Sequence, residues 1–236
     1  MNAMRLGVVT IGQTPRVDLA PELEDLLPGI ELVERGVLDG CSQEEIASFA
    51  PTDGDHALTT RLADGGSAII GEASVMRRLP RILIALEEEV DAILLACTGP
   101  FPAMPLSKPF FVPDRIIAHA VAATAPHGAT VGIIAPLPEQ EADTLQKFRT
   151  VVGVDVSVIV SAASPYTDTE ERLREAAREL ASGGARLIAM DCFGYTAAMR
   201  AAVAAETGLP VVVARSVAAR LAAETLGVPV TGSGVA

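Results

Sequence analysis

Two stretches of this chain end in the same way. Asp91–Pro100 reads DAILLACTGP and Arg186–Tyr195 reads RLIAMDCFGY, with their cysteines ninety-five residues apart. Each is a short apolar run bounded by charge and glycine, the pattern of a strand buried on both faces of a parallel sheet. Each run closes on a cysteine, with glycine two positions on. Cys97 and Cys192 are therefore expected at the carboxyl ends of two strands, where open α/β sheets bind their ligands.

The segments around them alternate strand and helix. Arg5–Ile11 reads as a strand, followed by a helix from about Arg16 to Leu27 that Thr14 would cap, with Pro15 at its first position. Ile30–Val37 is a strand. Ser42–Phe49 is a short helix opened by Ser42 with Glu45 three residues later, a capping box. Ala57–Gly71 has the makings of a β-hairpin, read as an insertion on the sheet edge. A helix from Ser74 or Val75 to Glu89 is bent or delayed by Pro80. Residues 99–113 hold five prolines and three phenylalanines, so no long regular element fits there. Beyond Pro113 the predicted order is helix (Arg115–Ala123), strand (Thr130–Ala135), helix (Glu139–Thr150), strand (Val154–Val160) and helix (Asp168–Ala181). The Cys192 strand, a helix over Thr196–Glu206, a strand at Val211–Ala214 and a helix at Ser216–Leu226 complete it.

That alternation predicts parallel sheets with right-handed crossovers. It also hides a duplication. Arg5–Val9 (RLGVV) and Thr130–Ile134 (TVGII) hold matching places, one strand group before a Cys-x-Gly. The first half is thirty residues longer between these landmarks, about the hairpin plus the short helix. The expected fold is therefore α/β with two pseudo-symmetric lobes. Each is a short, mostly parallel sheet flanked by helices, and the first carries the hairpin. Residues 1–112 with 208–236 would form the first lobe and 113–207 the second, with a cleft between them.

Composition narrows the class of partner. The 236 residues are half hydrophobic but only 3 % aromatic, with no Trp, so Ala, Val, Leu and Ile must fill the interior. A net charge of −12 argues against nucleic acid and anionic membranes. No apolar run reaches the roughly eighteen residues a bilayer span needs. Three cysteines make a poor disulfide framework and suit a reducing cytoplasm. His56, His119 and His127 are scattered and there is no Cys-x-x-Cys, so a zinc site is not expected. Glycine-rich phosphate loops are missing too. The oligomeric state stays open, with a homodimer as one option.

Cysteine often packs as an inert small hydrophobe, and Cys41 is read that way. Two thiols at matching positions of a duplicated chain suggest a second reading. Each is followed by a turn expected to open a helix, and helix N-termini depress thiol pKa values. Two thiols facing one carbon could remove a proton beside a carboxylate from one side and return one on the other, inverting the centre. No metal or organic cofactor is required if amides and hydroxyls hold the developing charge. Thr98, Gly99, Gly194, Tyr195 and Thr196 are candidates for that work, and Thr10, Gln13 and Thr14 would border the same cleft. Each has a turn or capping role as its plainer alternative. Arg16 reads either as solvated surface charge or as a bidentate grip on a substrate carboxylate. Asp191 would raise the pKa of Cys192 if the strand alternation breaks beside it. Tyr166 and Asp168 read as a loop and a helix start. Two further readings stay open: a carboxylate-binding protein without catalysis, and a decarboxylase or cis–trans isomerase using one cysteine.

The runs Thr10–Arg16 (TIGQTPR), Leu94–Phe101 (LLACTGPF) and Met190–Tyr195 (MDCFGY) resemble the AroM family over nearly the whole chain. More remotely, they are similar to the cofactor-independent aspartate/glutamate racemase superfamily, with its hydantoin racemases, maleate isomerases and arylmalonate decarboxylases. The resemblance implies two α/β lobes that each give a catalytic cysteine, Cys97 and Cys192, to a shared cleft, and a small anionic carboxylate as substrate. Those racemases usually follow the first cysteine with Asn-Thr and the second with Thr; here Thr98-Gly99 and Phe193-Gly194 stand instead. The first-strand turn has Gly12-Gln13-Thr14 where an Asp-Ser pair is usual.

Overall fold

The computed structural model describes residues 4–228. Its first half runs β1 (Arg5–Thr10), α1 (Ala20–Leu26), β2 (Glu31–Gly36), α2 (Gln43–Ser48), the hairpin β3 (Ala57–Arg61) and β4 (Ser67–Gly71), then α3 (Glu72–Met76), α4 (Leu79–Glu87), β5 (Ala92–Leu95) and β6 (Phe110–Phe111). The second half runs α5 (Pro113–Thr124), β7 (Thr130–Ala135), α6 (Glu141–Val151), β8 (Ser157–Ala162), α7 (Glu170–Ser182), β9 (Ala185–Met190), α8 (Ala197–Thr207), β10 (Val211–Val213) and α9 (Ala214–Thr225). None of the described helices is long and apolar enough to cross a membrane.

Two four-stranded parallel sheets carry the expected duplication. Their orders are β2-β1-β5-β6 and β8-β7-β9-β10, the same path walked twice. The shared glycine of the two repeats has a packing reason. A Cβ on Gly7 would lie 2.6 Å from Leu86 Cδ2 of α4, and one on Gly132 would lie 2.9 Å from Leu180 Cβ of α7. Each glycine thus lets the helix preceding the cysteine strand settle close onto the sheet. All four residues of β5 are buried, as are the last four of β9. Helices cover both faces of each sheet, and each fully buried Leu or Ile contributes about 1.5–3 kcal/mol.

Several elements depart from expectation. Thr14 does not cap α1, which begins at Ala20 with Leu19 at its cap and Pro21 in its first turn. Thr14 is engaged elsewhere, its N–H and hydroxyl both donating to the Asp39 carboxylate at 2.8 Å. Pro80 sits in the first turn of α4, so the predicted single helix is two, α3 and α4, broken at Arg77–Arg78. The Ser42 capping box is present as read. The hairpin is not on a sheet edge: β3 and β4 pair only with each other among the described residues. It reaches the second half instead, where Gln140 Nε2 donates to Ala57 O at 2.5 Å and His56 pairs with Asp143 at 2.9 Å. The C-terminal segment is shared. β10 pairs with β9 in the second sheet, whereas α9 packs against α1 and buries Ala218, Ala219 and Ala222 beside Leu6 and Leu23 of the first. α9 also packs against α5 of the second half, with Ala214 in the core there; residues 229–236 lie outside the described part.

Candidate active site

Both cysteine-bearing strands deliver their ends to one cavity of about 360 Å³. Cys97, Thr98 and Gly99 enter from the first sheet, and Asp191, Cys192 and Phe193 from the second. Residues of β3 (Leu58–Thr60), Asp114 at the start of α5, Lys147 of α6 and Tyr166 before α7 complete the wall. Both cysteines are buried, Cys97 at 8 % exposure and Cys192 at 6 %, each lining the cavity while packed from behind by its own core. The two ends also touch. The Thr98 hydroxyl donates to the carbonyl of Asp191 at 3.0 Å, joining the segment after one thiol to the residue before the other.

The Cys-x-Gly spacing has a local meaning. The Gly99 N–H donates to Cys97 Sγ at 3.3 Å and the Gly194 N–H to Cys192 Sγ at 3.4 Å. Neither glycine could carry a side chain unopposed. A Cβ on Gly99 would crowd Phe101 and Leu58, and one on Gly194 would lie 2.6 Å from the Tyr166 ring and hydroxyl. An amide aimed at sulfur favours the thiolate. Burial outweighs it at both sites. It pushes Cys97 up to about 12, where the nearby Cys192 and Asp114 add to the rise. It pushes Cys192 up to about 11, with Asp191 adding and the Arg16 and Arg215 guanidinium groups opposing. The expected depression by helix N-termini does not occur. An irregular, proline-rich segment follows Cys97, and α8 begins only five residues after Cys192.

The first-strand turn, expected to border the cleft, does not line this cavity. Thr10 is buried, its hydroxyl oxygen accepting from the Gly12 N–H at 3.1 Å and from Arg16 Nη1 at 2.6 Å. Gln13 donates to Leu38 O at 3.4 Å and accepts from the Ala63 N–H at 3.1 Å. Arg16 is neither solvated nor open to the cavity. It is 2 % exposed and grips Asp18 bidentately at 2.8 Å while donating to the Tyr166 hydroxyl at 3.3 Å. Its reach to the cavity is through that tyrosine, whose pKa burial raises. Gly194 and Tyr195 lie behind the Cys192 turn. The Tyr195 hydroxyl donates to Ala163 O at 2.5 Å. Thr196 caps α8, its oxygen accepting from the Met199 N–H at 3.1 Å. Of the expected site residues, only Cys97, Thr98, Gly99 and Cys192 line the main cavity.

Other residues stand there unannounced. Lys147 Nζ lies 2.8 Å from Asp114 Oδ1 and 2.5 Å from Asp191 Oδ2. Burial pulls the lysine pKa down, but the two carboxylates more than offset that and it stays above its ordinary value. Burial lifts Asp191 above the ordinary carboxylate range against the pull of Lys147. Thr144 and Lys147 of α6, with Gln140 just before it, line the cavity, and on a helix as polar as Glu141–Val151 no pattern in the sequence singles them out. Asp114 was hidden as an acidic residue in a first helical turn, and Tyr166 as a loop residue.

This arrangement defines a class by fold. Maleate isomerase from Pseudomonas putida S16 is similar at a TM-score of 0.63 and 11% identity, over 97% of this chain and 94% of that one. An arylmalonate decarboxylase mutant is similar at 0.61 and 12% identity, over 95% and 94%. Glutamate racemase from Bacillus anthracis is similar at 0.60 and 15% identity, over 95% and 82%. The chain thus has the fold of the aspartate/glutamate racemase type. The family model described as AroM protein matches residues 6–226, and the chain belongs to the AroM family. No curated protein matches it.

Proposed function

We propose that this protein is a cofactor-independent racemase or isomerase of a small carboxylate, with Cys97 and Cys192 as its acid–base pair. One observation carries the reading: two thiols from equivalent strands open onto the same cavity, each with the amide two residues on donating to its sulfur. In the step proposed, one sulfur enters as thiolate and takes the proton beside the carboxylate. The C–H bond breaks, an S–H bond forms, and the electron pair passes into the carboxylate as an enediolate. The other thiol then gives its proton to the opposite face and is left as the thiolate. Lys147, with one N–H donor beyond those directed at Asp114 and Asp191, would meet the charge on the carboxylate, and closing water out would strengthen that contact.

The contrast between the two strand ends favours a second reading, in which Cys192 alone does the chemistry of a decarboxylase or cis–trans isomerase. Two buried guanidinium groups, Arg16 and Arg215, oppose the rise at Cys192, against the single ammonium of Lys147 at Cys97. Both readings are tested by following deuterium from solvent into the α-position across a panel of small carboxylic acids. The two-thiol reaction predicts exchange that falls by about a thousandfold in both Cys97→Ser and Cys192→Ser. Loss in Cys192→Ser alone selects the one-thiol reading. Exchange that survives both substitutions contradicts each.

A further inference from the structure

The cavity that both thiols line is poor in free positive charge. Glu72, Asp114, Asp143 and Asp191 stand in its wall against Lys147 and His56. Lys147 pairs with Asp114 and Asp191 together, and His56 with Asp143. An ammonium has three N–H donors, so Lys147 keeps one for a ligand. Arg16 and Arg215 lie outside the cavity wall, committed to Asp18 and Glu22. That is provision for one carboxylate. Leu58, Pro136 and Phe193 give the same wall apolar surface, which suits an uncharged remainder.

Glu72 is the acid of this set without a partner. It opens α3 directly after the hairpin, half-buried, and its carboxylate makes no hydrogen bond or ion pair among the described residues. Burial holds its pKa above the ordinary carboxylate range; His56 opposes the rise, and Asp55 and Asp114 add to it. Ionised Glu72 therefore weakens the fold once pH passes its raised value, and the penalty vanishes below the ordinary range. A carboxylate kept at a cost in a cavity wall points to function rather than to structure.

We infer that the site takes a monocarboxylate with an uncharged, largely apolar remainder, and that Glu72 is the residue that turns dicarboxylates away. A second carboxylate in about 360 Å³ would meet no unclaimed cation and would stand among four like charges. This rests on the proposed function only in taking the thiol-lined cavity as a carboxylate site.

Butyrate and succinate are the probes, four-carbon acids that differ by one carboxylate. Each is titrated at constant ionic strength into the full chain carrying isotope-labelled tyrosine, followed by NMR. The chain has two tyrosines, and only Tyr166 lines this cavity, so its ring signals, assigned with Tyr166→Phe, report binding there. Half-saturation by butyrate is expected at a concentration about tenfold below that of succinate, the effect of one unfavourable charge contact at partial burial. Glu72→Gln should narrow the gap to about threefold or less. It should fold at least as firmly as the wild type, because it removes a charge the fold disfavours, and Glu72→Ala offers a second removal of that charge. The net charge of −12 also repels a dianion. Glu24→Gln, which takes the same charge from the exposed face of α1, is therefore the control and should leave the gap as it is.

Succinate binding as tightly as butyrate, a gap that survives loss of the Glu72 charge, or an equal narrowing in Glu24→Gln would each overturn the inference and leave the acid–base pair standing. A Tyr166 signal unmoved by either acid would overturn both, since the cavity would hold no carboxylate. The expected order without deuterium exchange in any acid would sink only the catalytic reading.

Discussion

The two thiol-bearing strand ends share a local design and differ in what stands behind it. At each, an amide two residues on donates to sulfur. Behind Cys192, the fully buried Arg215 donates to Phe193 O at 2.9 Å and Gly194 O at 3.1 Å while pairing with Glu22 at 2.9 Å. The turn is thus pinned from the core by a cation that also favours the thiolate. Behind Cys97 there is no such anchor. Its turn runs into the proline-rich segment and is tied across by Thr98 to Asp191. A duplicated scaffold has become asymmetric at its chemical end: in the proposed reaction Cys192 is the readier base and Cys97 the readier acid.

Removing the anchor should break that comparison hardest. Arg215→Met takes a donor from three carbonyls, those of Asp18, Phe193 and Gly194, leaves the Glu22 carboxylate with the Ala197 N–H in place of a cation, and is expected to cost about 3 kcal/mol in urea unfolding. It should also slow alkylation of Cys192 relative to Cys97, because the pKa of Cys192 rises when the cation goes. Equal slowing at both thiols would mean the asymmetry lies elsewhere. The internal symmetry is probed by the paired glycines. Gly132→Ala drives a methyl against Leu180 Cβ, which is fixed to its helix, whereas Gly7→Ala meets the rotatable end of Leu86. Expected costs are about 2 and about 1 kcal/mol respectively, read by thermal unfolding; the reverse order would contradict the packing account. The smallest effect is in pH. Both thiol pKa values are raised, so the reactive thiolate appears only as pH climbs above the ordinary thiol range, toward about 11 at Cys192 and about 12 at Cys97. Below both values Cys192 should alkylate faster than Cys97, because the Arg16 and Arg215 guanidinium groups oppose the rise at Cys192. Equal rates, or a faster Cys97, would reverse the assignment of base and acid.

The fold was largely legible because its signals are local. Buried runs such as Ala92–Leu95 read as strands, and the repeated glycines at 7 and 132 marked the duplication. The cysteines too were visible as strand-end residues. What the sequence concealed was set by tertiary placement. Arg16 reads as a surface charge until Asp18, Thr10 and Tyr166 are seen around it. Thr14 has the right spacing for a cap but is claimed by Asp39, from another loop. Lys147, Asp114 and Asp191 lie far apart in sequence and meet only because α5, α6 and β9 converge, a contact that periodicity cannot report. The thiol pKa values went the other way from expectation because burial, invisible in a motif, outweighs one amide hydrogen bond at each sulfur.

The central claim is that Cys97 and Cys192 face one another across a single pocket. It is tested most directly by treating the protein with 1,3-dibromoacetone, a short reagent that must bridge two thiols to react twice, and mapping the peptides. The account predicts a Cys97–Cys192 cross-link within one chain. Two singly modified thiols, or bridges that join only Cys41 or separate chains, would contradict it.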